Sequence, residues 1–131
     1  MQKNNNNHLK WFKKADEDET VIKIMLEENG PPNPICFHAQ QMAEKYMKGL
    51  LTFIEKHFEK VHDLIQLETL LLENLPDIKS IHDDLTLLNR YYIETRYPGD
   101  YPEFTLTEAR GAFESAQGIK EYVLAKIEGK T

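Results

Sequence analysis

The sequence predicts an all-α protein, an up-and-down bundle of four to five helices. Three observations point there. Apolar residues recur at spacings of three and four nearly throughout. No segment sustains the apolar–polar alternation of a half-buried strand. The breaker clusters Gly30-Pro31-Pro32 and Tyr97-Pro98-Gly99-Asp100-Tyr101-Pro102, with Pro76 between them, cut the chain into helix-length pieces.

The first helix is expected from about Leu9 to Glu28, with Trp11, Ala15, Ile22, Met25 and Leu26 on one face and Asn7 as its N-cap. Gly30-Pro31-Pro32 ends it, because proline lacks an N–H and its ring clashes with the preceding turn. The second helix is expected from Pro34 to about His57. Its apolar residues Met42, Ala43, Tyr46, Met47, Leu50, Leu51, Phe53 and Ile54 fill roughly half of the helix circumference. That is more than one neighbour can cover, so this helix should pack against several others. The third helix should start after the N-cap Asp63, end before Pro76 and present Leu64, Leu67, Leu71 and Leu75. The fourth should run from Ile78 to about Arg96 with Ile78, Ile81, Leu85, Leu88 and Tyr92 as its seam. The fifth should follow the capping box Thr105-Leu106-Thr107-Glu108. It would bury Ala109, Ala112, Phe113, Ala116, Ile119, Val123 and Ile127. Gly111 and Gly118 lie inside it, either allowing close helix contact or merely being tolerated.

A length of 131 residues fits one domain, with residues 1–7 as a polar, flexible N-terminal tail. A single Cys excludes an internal disulfide and any zinc site needing two cysteines. No metal site and no cofactor are expected. The N-terminus lacks the apolar core of a secretory signal. No stretch approaches the ~18 apolar residues of a membrane span. A soluble, cytoplasmic protein with no membrane partner is therefore expected. The formal net charge is −6. An overall cationic nucleic-acid coat is excluded, and direct nucleic-acid binding stays an open expectation. The charge is segregated: Lys3, Lys10, Lys13 and Lys14 precede any acid, and Asp16, Glu17, Asp18, Glu19, Glu27 and Glu28 then face only Lys23.

Three constellations could carry chemistry. His38, Gln41, Lys45 and Lys48 form one polar stripe on the second helix, a cradle that could hold a phosphate or nucleotide. The competing reading is a solvated face with Glu44 and Lys48 as an i,i+4 pair. Arg90 and Arg96, with Tyr91, Tyr92 and Tyr97, gather at the end of the fourth helix, where guanidinium groups could grip an anion and rings could stack on a base. Alternatively, Arg96 satisfies helix carbonyls or pairs with a buried acid. Asp18, on the apolar face of the first helix, is a candidate partner because an unpaired carboxylate there would be costly. His62 beside Asp63, with His57, invites a general-base reading. Asp63 is nonetheless accounted for as a cap, and no nucleophile motif accompanies them. Cys36 falls in the first turn of the second helix. The dipole there would lower a thiol pKa, but a small packing residue is the simpler role.

At these residues the chain resembles a known family. Phe37-His38-Ala39-Gln40-Gln41-Met42-Ala43-Glu44-Lys45-Tyr46-Met47-Lys48-Gly49-Leu50 is similar to the second-helix signature of HEPN domains. Lys60-Val61-His62-Asp63-Leu64 resembles the start of the family's third helix, and Tyr92-Ile93-Glu94-Thr95-Arg96-Tyr97-Pro98 the end of its fourth. The resemblance implies a helical bundle over about residues 8–128. It further implies a homodimer, nucleotide binding and pairing with a minimal nucleotidyltransferase of the MNT type. One branch of the family consists of RNase toxins of toxin–antitoxin pairs, which carry Arg-x4–6-His. Here neither Arg90 nor Arg96 is followed by such a His, and none occurs after His82. The expected function is thus a binding module, with a non-enzymatic role favoured over catalysis. The alternatives are an atypical RNase toxin, with His38 or His62 supplying the missing imidazole, and a dimeric scaffold without ligand. A dimer also has a physical motive if Tyr91, Ile93, Tyr97, Tyr101 and Phe104 form surplus apolar surface.

Overall fold

A computed structural model describes residues 6–94 and 103–129 of the chain. Five α-helices follow one another: α1 (Asn7–Glu27), α2 (Pro32–Phe53), α3 (Leu64–Leu72), α4 (His82–Glu94) and α5 (Leu106–Gly129). No strand occurs among the described residues. α2 is the axis of the bundle. It packs against each of the other four helices, in keeping with the wide apolar arc of its sequence. Ile35, Ala39, Met42, Ala43, Met47 and Leu51 of α2 are fully buried, among Ile22, Leu64, Leu67, Leu88, Ala112 and Ile119 of its neighbours.

Helix ends follow local chemistry. α1 starts one residue earlier than Asn7 as a cap would place it. Its N-cap is Asn6, which makes no side-chain capping bond. It stops at Glu27, and Asn29 turns left-handed at φ 54°. The amides of Gly30 and Asn29 return to the carbonyls of Met25 and Leu26, at 2.7 and 3.2 Å. This pairing satisfies two of the orphaned carbonyls of a helix end. α2 ends the same way and four residues short of His57. Glu55 takes φ 60°, and Lys56 and Glu55 donate to Leu51 and Thr52. Asp63 caps α3, accepting from the amides of Ile65 (2.8 Å) and Gln66 (3.3 Å). Thr105 Oγ1 caps α5 by accepting from the Glu108 amide at 3.0 Å.

α4 departs from expectation at its start. Residues Pro76–Ile81 form a 3-10 turn, and the α-helix begins only at His82. Side chains three apart eclipse in a 3-10 turn. Ile78 and Ile81 therefore both reach the core from it. The expected end at Arg96 lies outside the described residues.

Two further corrections concern packing. Tyr91, rather than Tyr92, completes the α4 seam, and both Tyr91 and Phe104 are core residues whose rings meet edge-to-face at 5.1 Å. They supply no surplus apolar surface for a dimer. Ile93, Tyr97 and Tyr101 lie outside the described side chains. The close helix contact falls at Gly49, not at Gly111 or Gly118. A Cβ on Gly49 would collide with the Phe12 ring. Gly111 faces open space, and Gly118 faces the Asp84 carboxylate.

Candidate functional site

The polar residues of α2 are drawn into two clusters, each organised by a buried acid. The first joins α1 to α2. The Asp18 side chain, 7% exposed as a residue, accepts from Lys45 Nζ at 2.7 Å and His38 Nδ1 at 2.9 Å. Burial alone would raise its pKa. The hydrogen bonds and charges of His38 and Lys45 outweigh that and hold the carboxyl below its ordinary range. A turn away, Tyr46 donates to Asp16 at 2.7 Å, and burial with that carboxylate raises the phenol's pKa. Glu19 accepts from Lys120 of α5 at 2.8 Å.

The second cluster lies between α2 and the loop before α3. Glu44 and Lys48 pair at 2.7 Å with their side chains only 6% and 7% exposed. This is no solvated face. Gln40 donates to the other Glu44 oxygen at 3.2 Å, and Gln41 donates to Gln40 at 2.7 Å. His62 Nδ1 meets Glu44 Oε2 at 2.8 Å. A carboxylate only accepts, so Nδ1 carries the proton. Nε2 has no hydrogen-bond partner among the described residues. The His62 ring stacks on Tyr92 of α4, centroids 5.2 Å apart and planes within 15°. Lys48 closes the far end, its ammonium 5.5 Å over the Trp11 ring.

Beside this pair of rings opens a groove of about 260 Å³, lined by Lys60, His62, Asp63, Gln66, Asn89 and Tyr92 among others. Asn89 braces its wall. Its amide oxygen accepts from the Leu64 N–H at 2.7 Å, and its nitrogen donates to Asp63 at 3.0 Å. The groove can receive a flat ring against His62 and Tyr92 and an anion near Lys60.

The four stripe residues therefore separate. His38 and Lys45 belong to Asp18; Gln41 and Lys48 belong to the Glu44 network. Arg90 is not in the groove lining. Its guanidinium lies 5.4 and 5.8 Å over the rings of Tyr91 and Phe104 and 3.9 Å from Glu108. Arg96 and Tyr97 lie outside the described residues, as does any pairing of Asp18 with Arg96. Among the described residues no group of three or more His, Cys, Asp or Glu could hold a metal ion. Cys36 is wholly buried. Burial first, then nearby Glu108, pushes its thiol up to about 12, so the low-dielectric site overrides the helix dipole. Sequence reasoning passed over Gln40 and Asn89, and placed the Glu44–Lys48 pair on a solvated face. The one available signal was the four-residue spacing of Gln40, Glu44 and Lys48, a polar row set in an otherwise apolar helix.

The bundle and its polar seam define a class: a small helical module whose central helix carries a buried hydrogen-bonded network out to a surface groove. The chain belongs to the HEPN domain family, whose model matches residues 8–127. It is 25% identical over 134 residues to a Methanocaldococcus jannaschii protein named "Putative toxin MJ1304", covering 86% of this chain and 83% of that protein. Its structure is similar to the crystal structure of TT1696 from Thermus thermophilus, with TM-score 0.83, 28% identity and coverage of 93% and 99% of the two chains. It is also similar to ST0689, an archaeal HEPN homologue, with TM-score 0.73, 26% identity and coverage of 97% and 99%. No helix among the described residues is long and apolar enough to cross a membrane.

Proposed function

We propose that this HEPN domain is a cytoplasmic nucleotide-binding module, working as a homodimer and pairing with a minimal nucleotidyltransferase. The observation that carries the nucleotide part is the His62–Tyr92 stack beside Lys60. The Glu44 carboxylate holds the imidazole in place. Preformed rings lose little entropy on taking up a base, and the ammonium supplies the phosphate's counter-charge. The chain has no Gly-rich phosphate loop and no nucleotidyltransferase motif, so transfer chemistry is assigned to the partner. Titration calorimetry with ATP and GTP tests this reading. Binding below millimolar, weakened at least tenfold in His62→Ala and Lys60→Ala, supports it. No heat at millimolar nucleotide, or equal binding by these variants, overturns it.

A second reading, an atypical RNase toxin, is favoured by the toxin-named relative and by the Glu44–His62 pair. A carboxylate that orients an imidazole is the arrangement a general base requires. Growth arrest on expression, lost in His62→Gln, would support that reading. Unimpaired growth with intact RNA would remove it.

A further inference from the structure

Far along the sequence from His62, the first two turns of α1 carry a second groove that no constellation above uses. It measures about 360 Å³ and is lined by Asn7, Lys10, Trp11, Lys14 and Thr52. Acids outnumber bases overall, and Lys45, Lys48, Lys56, Lys120 and Lys126 sit against carboxylates. Lys10 and Lys14, like Lys13, Lys60 and Lys79, have no ion-pair partner among the described residues, and these two share one groove. They are also placed against the helix's own interest. They lie four apart, where like charges repel. Lys10 closes the first turn of a helix that has no acid there and no side-chain cap, where a cation opposes the macrodipole. Local choices that work against stability without a structural return point to a ligand.

Trp11 supplies the other half of the chemistry. Its ring is held in place by Lys48 over it at 5.5 Å and by Phe58 at 6.2 Å, and it also lines the groove. An aromatic ring flanked by two ammonium groups is the platform-and-funnel arrangement for an unpaired nucleic-acid strand. Lys10 and Lys14 stand one turn, ~6 Å, apart, so each can meet a separate phosphate. An acidic peptide would use the lysines and leave the indole idle. A bilayer would want apolar side chains around the indole, whereas the groove around it is lined by Asn7, Lys10, Lys14 and Thr52. We propose that this groove binds single-stranded nucleic acid, with Lys10 and Lys14 on consecutive phosphates and Trp11 against a base.

Trp11 is the only tryptophan of the chain, so its fluorescence reads the groove directly. The full chain is titrated with fluorescein-labelled single-stranded RNA and DNA dodecamers, following anisotropy and indole quenching together. Quenching is expected, with a log–log salt slope of about −1.4 for two phosphate contacts. The double variant Lys10→Glu/Lys14→Glu should bind at least tenfold more weakly while keeping its helical circular dichroism. Lys79→Glu, a charge change of the same kind outside this groove, should bind as wild type, which separates the groove from net charge. Any of four results overturns the proposal. The first is no binding of the strand at low salt. The second is binding that leaves Trp11 unquenched. The third is equal binding by the double variant. The fourth is quenching as strong by poly-glutamate or by anionic phosphatidylserine vesicles as by the strand.

Discussion

Replacing Glu44 by Gln tests the buried network at its centre. Glu44 and Lys48 are paired at 2.7 Å with 6% and 7% of their side chains exposed. The substitution keeps the outline of the side chain, removes its charge and turns one of its two accepting oxygens into an N–H donor, leaving the Lys48 ammonium desolvated without a carboxylate. Removing one partner of a buried pair costs about 3–5 kcal/mol. The Trp11 face, 5.5 Å from that ammonium, is there in both proteins and cancels in the difference. A loss of at least about 3 kcal/mol follows, roughly a hundredfold in the folded-to-unfolded ratio. The midpoint temperature should fall by ~6–12 °C. Urea unfolding read by Trp11 fluorescence and circular dichroism measures it. The double variant Glu44→Gln/Lys48→Met should regain most of the loss, because no charge then stays buried alone. A loss under ~1 kcal/mol, or a double variant no better than the single, would refute the reasoning.

Other sites give independent checks. Gly49→Ala places a methyl group against the Phe12 ring and should cost about 2–3 kcal/mol; an unchanged melting temperature would show that the α1–α2 contact is looser than described. The Asp18 carboxyl is held below its ordinary value of 3.8 in the fold, so its contribution is complete above that pH and is lost as pH falls through the folded value. Urea midpoints between about pH 2 and 6 should fall less steeply in Asp18→Asn than in wild type, and parallel curves would contradict the assignment. Cys36, wholly buried with its thiol pushed up to about 12, should resist a disulfide reagent at pH 8 until the protein is unfolded. Rapid labelling of the folded protein would mean that the start of α2 opens locally.

Much of the bundle was legible because its cause is local. The broad apolar arc of α2, the Asp63 cap and the Thr105 cap each depend on residues within a few positions of one another. What escaped depends on distant partners. Tyr91 and Tyr92 are both plausible seam residues by spacing. Phe104, arriving from beyond α4, decides between them by meeting Tyr91 edge-to-face. Asp18 was visibly in need of a partner, yet only the packing of α1 on α2 shows that His38 and Lys45 supply it. The stripe His38, Gln41, Lys45, Lys48 is regular along α2, but the acids meeting it come from two directions and divide it. Glu44 read as half of a surface pair, and its link to His62, eighteen residues on, is a tertiary contact no helical period encodes. Pro76 was read as a breaker ahead of a helix from Ile78, while the eclipsed burial of Ile78 and Ile81 selects a 3-10 turn first.

The central claim is that a nucleotide occupies the groove beside the His62–Tyr92 stack. Nuclear magnetic resonance of the full chain titrated with ATP tests it most directly, reading the ring protons of both residues. The account predicts that the two rings shift together along one saturable curve, with Asn89 and the Lys60 amide following and the α1 lysines unmoved. Shifts confined to α1, or none at millimolar ATP, would contradict it.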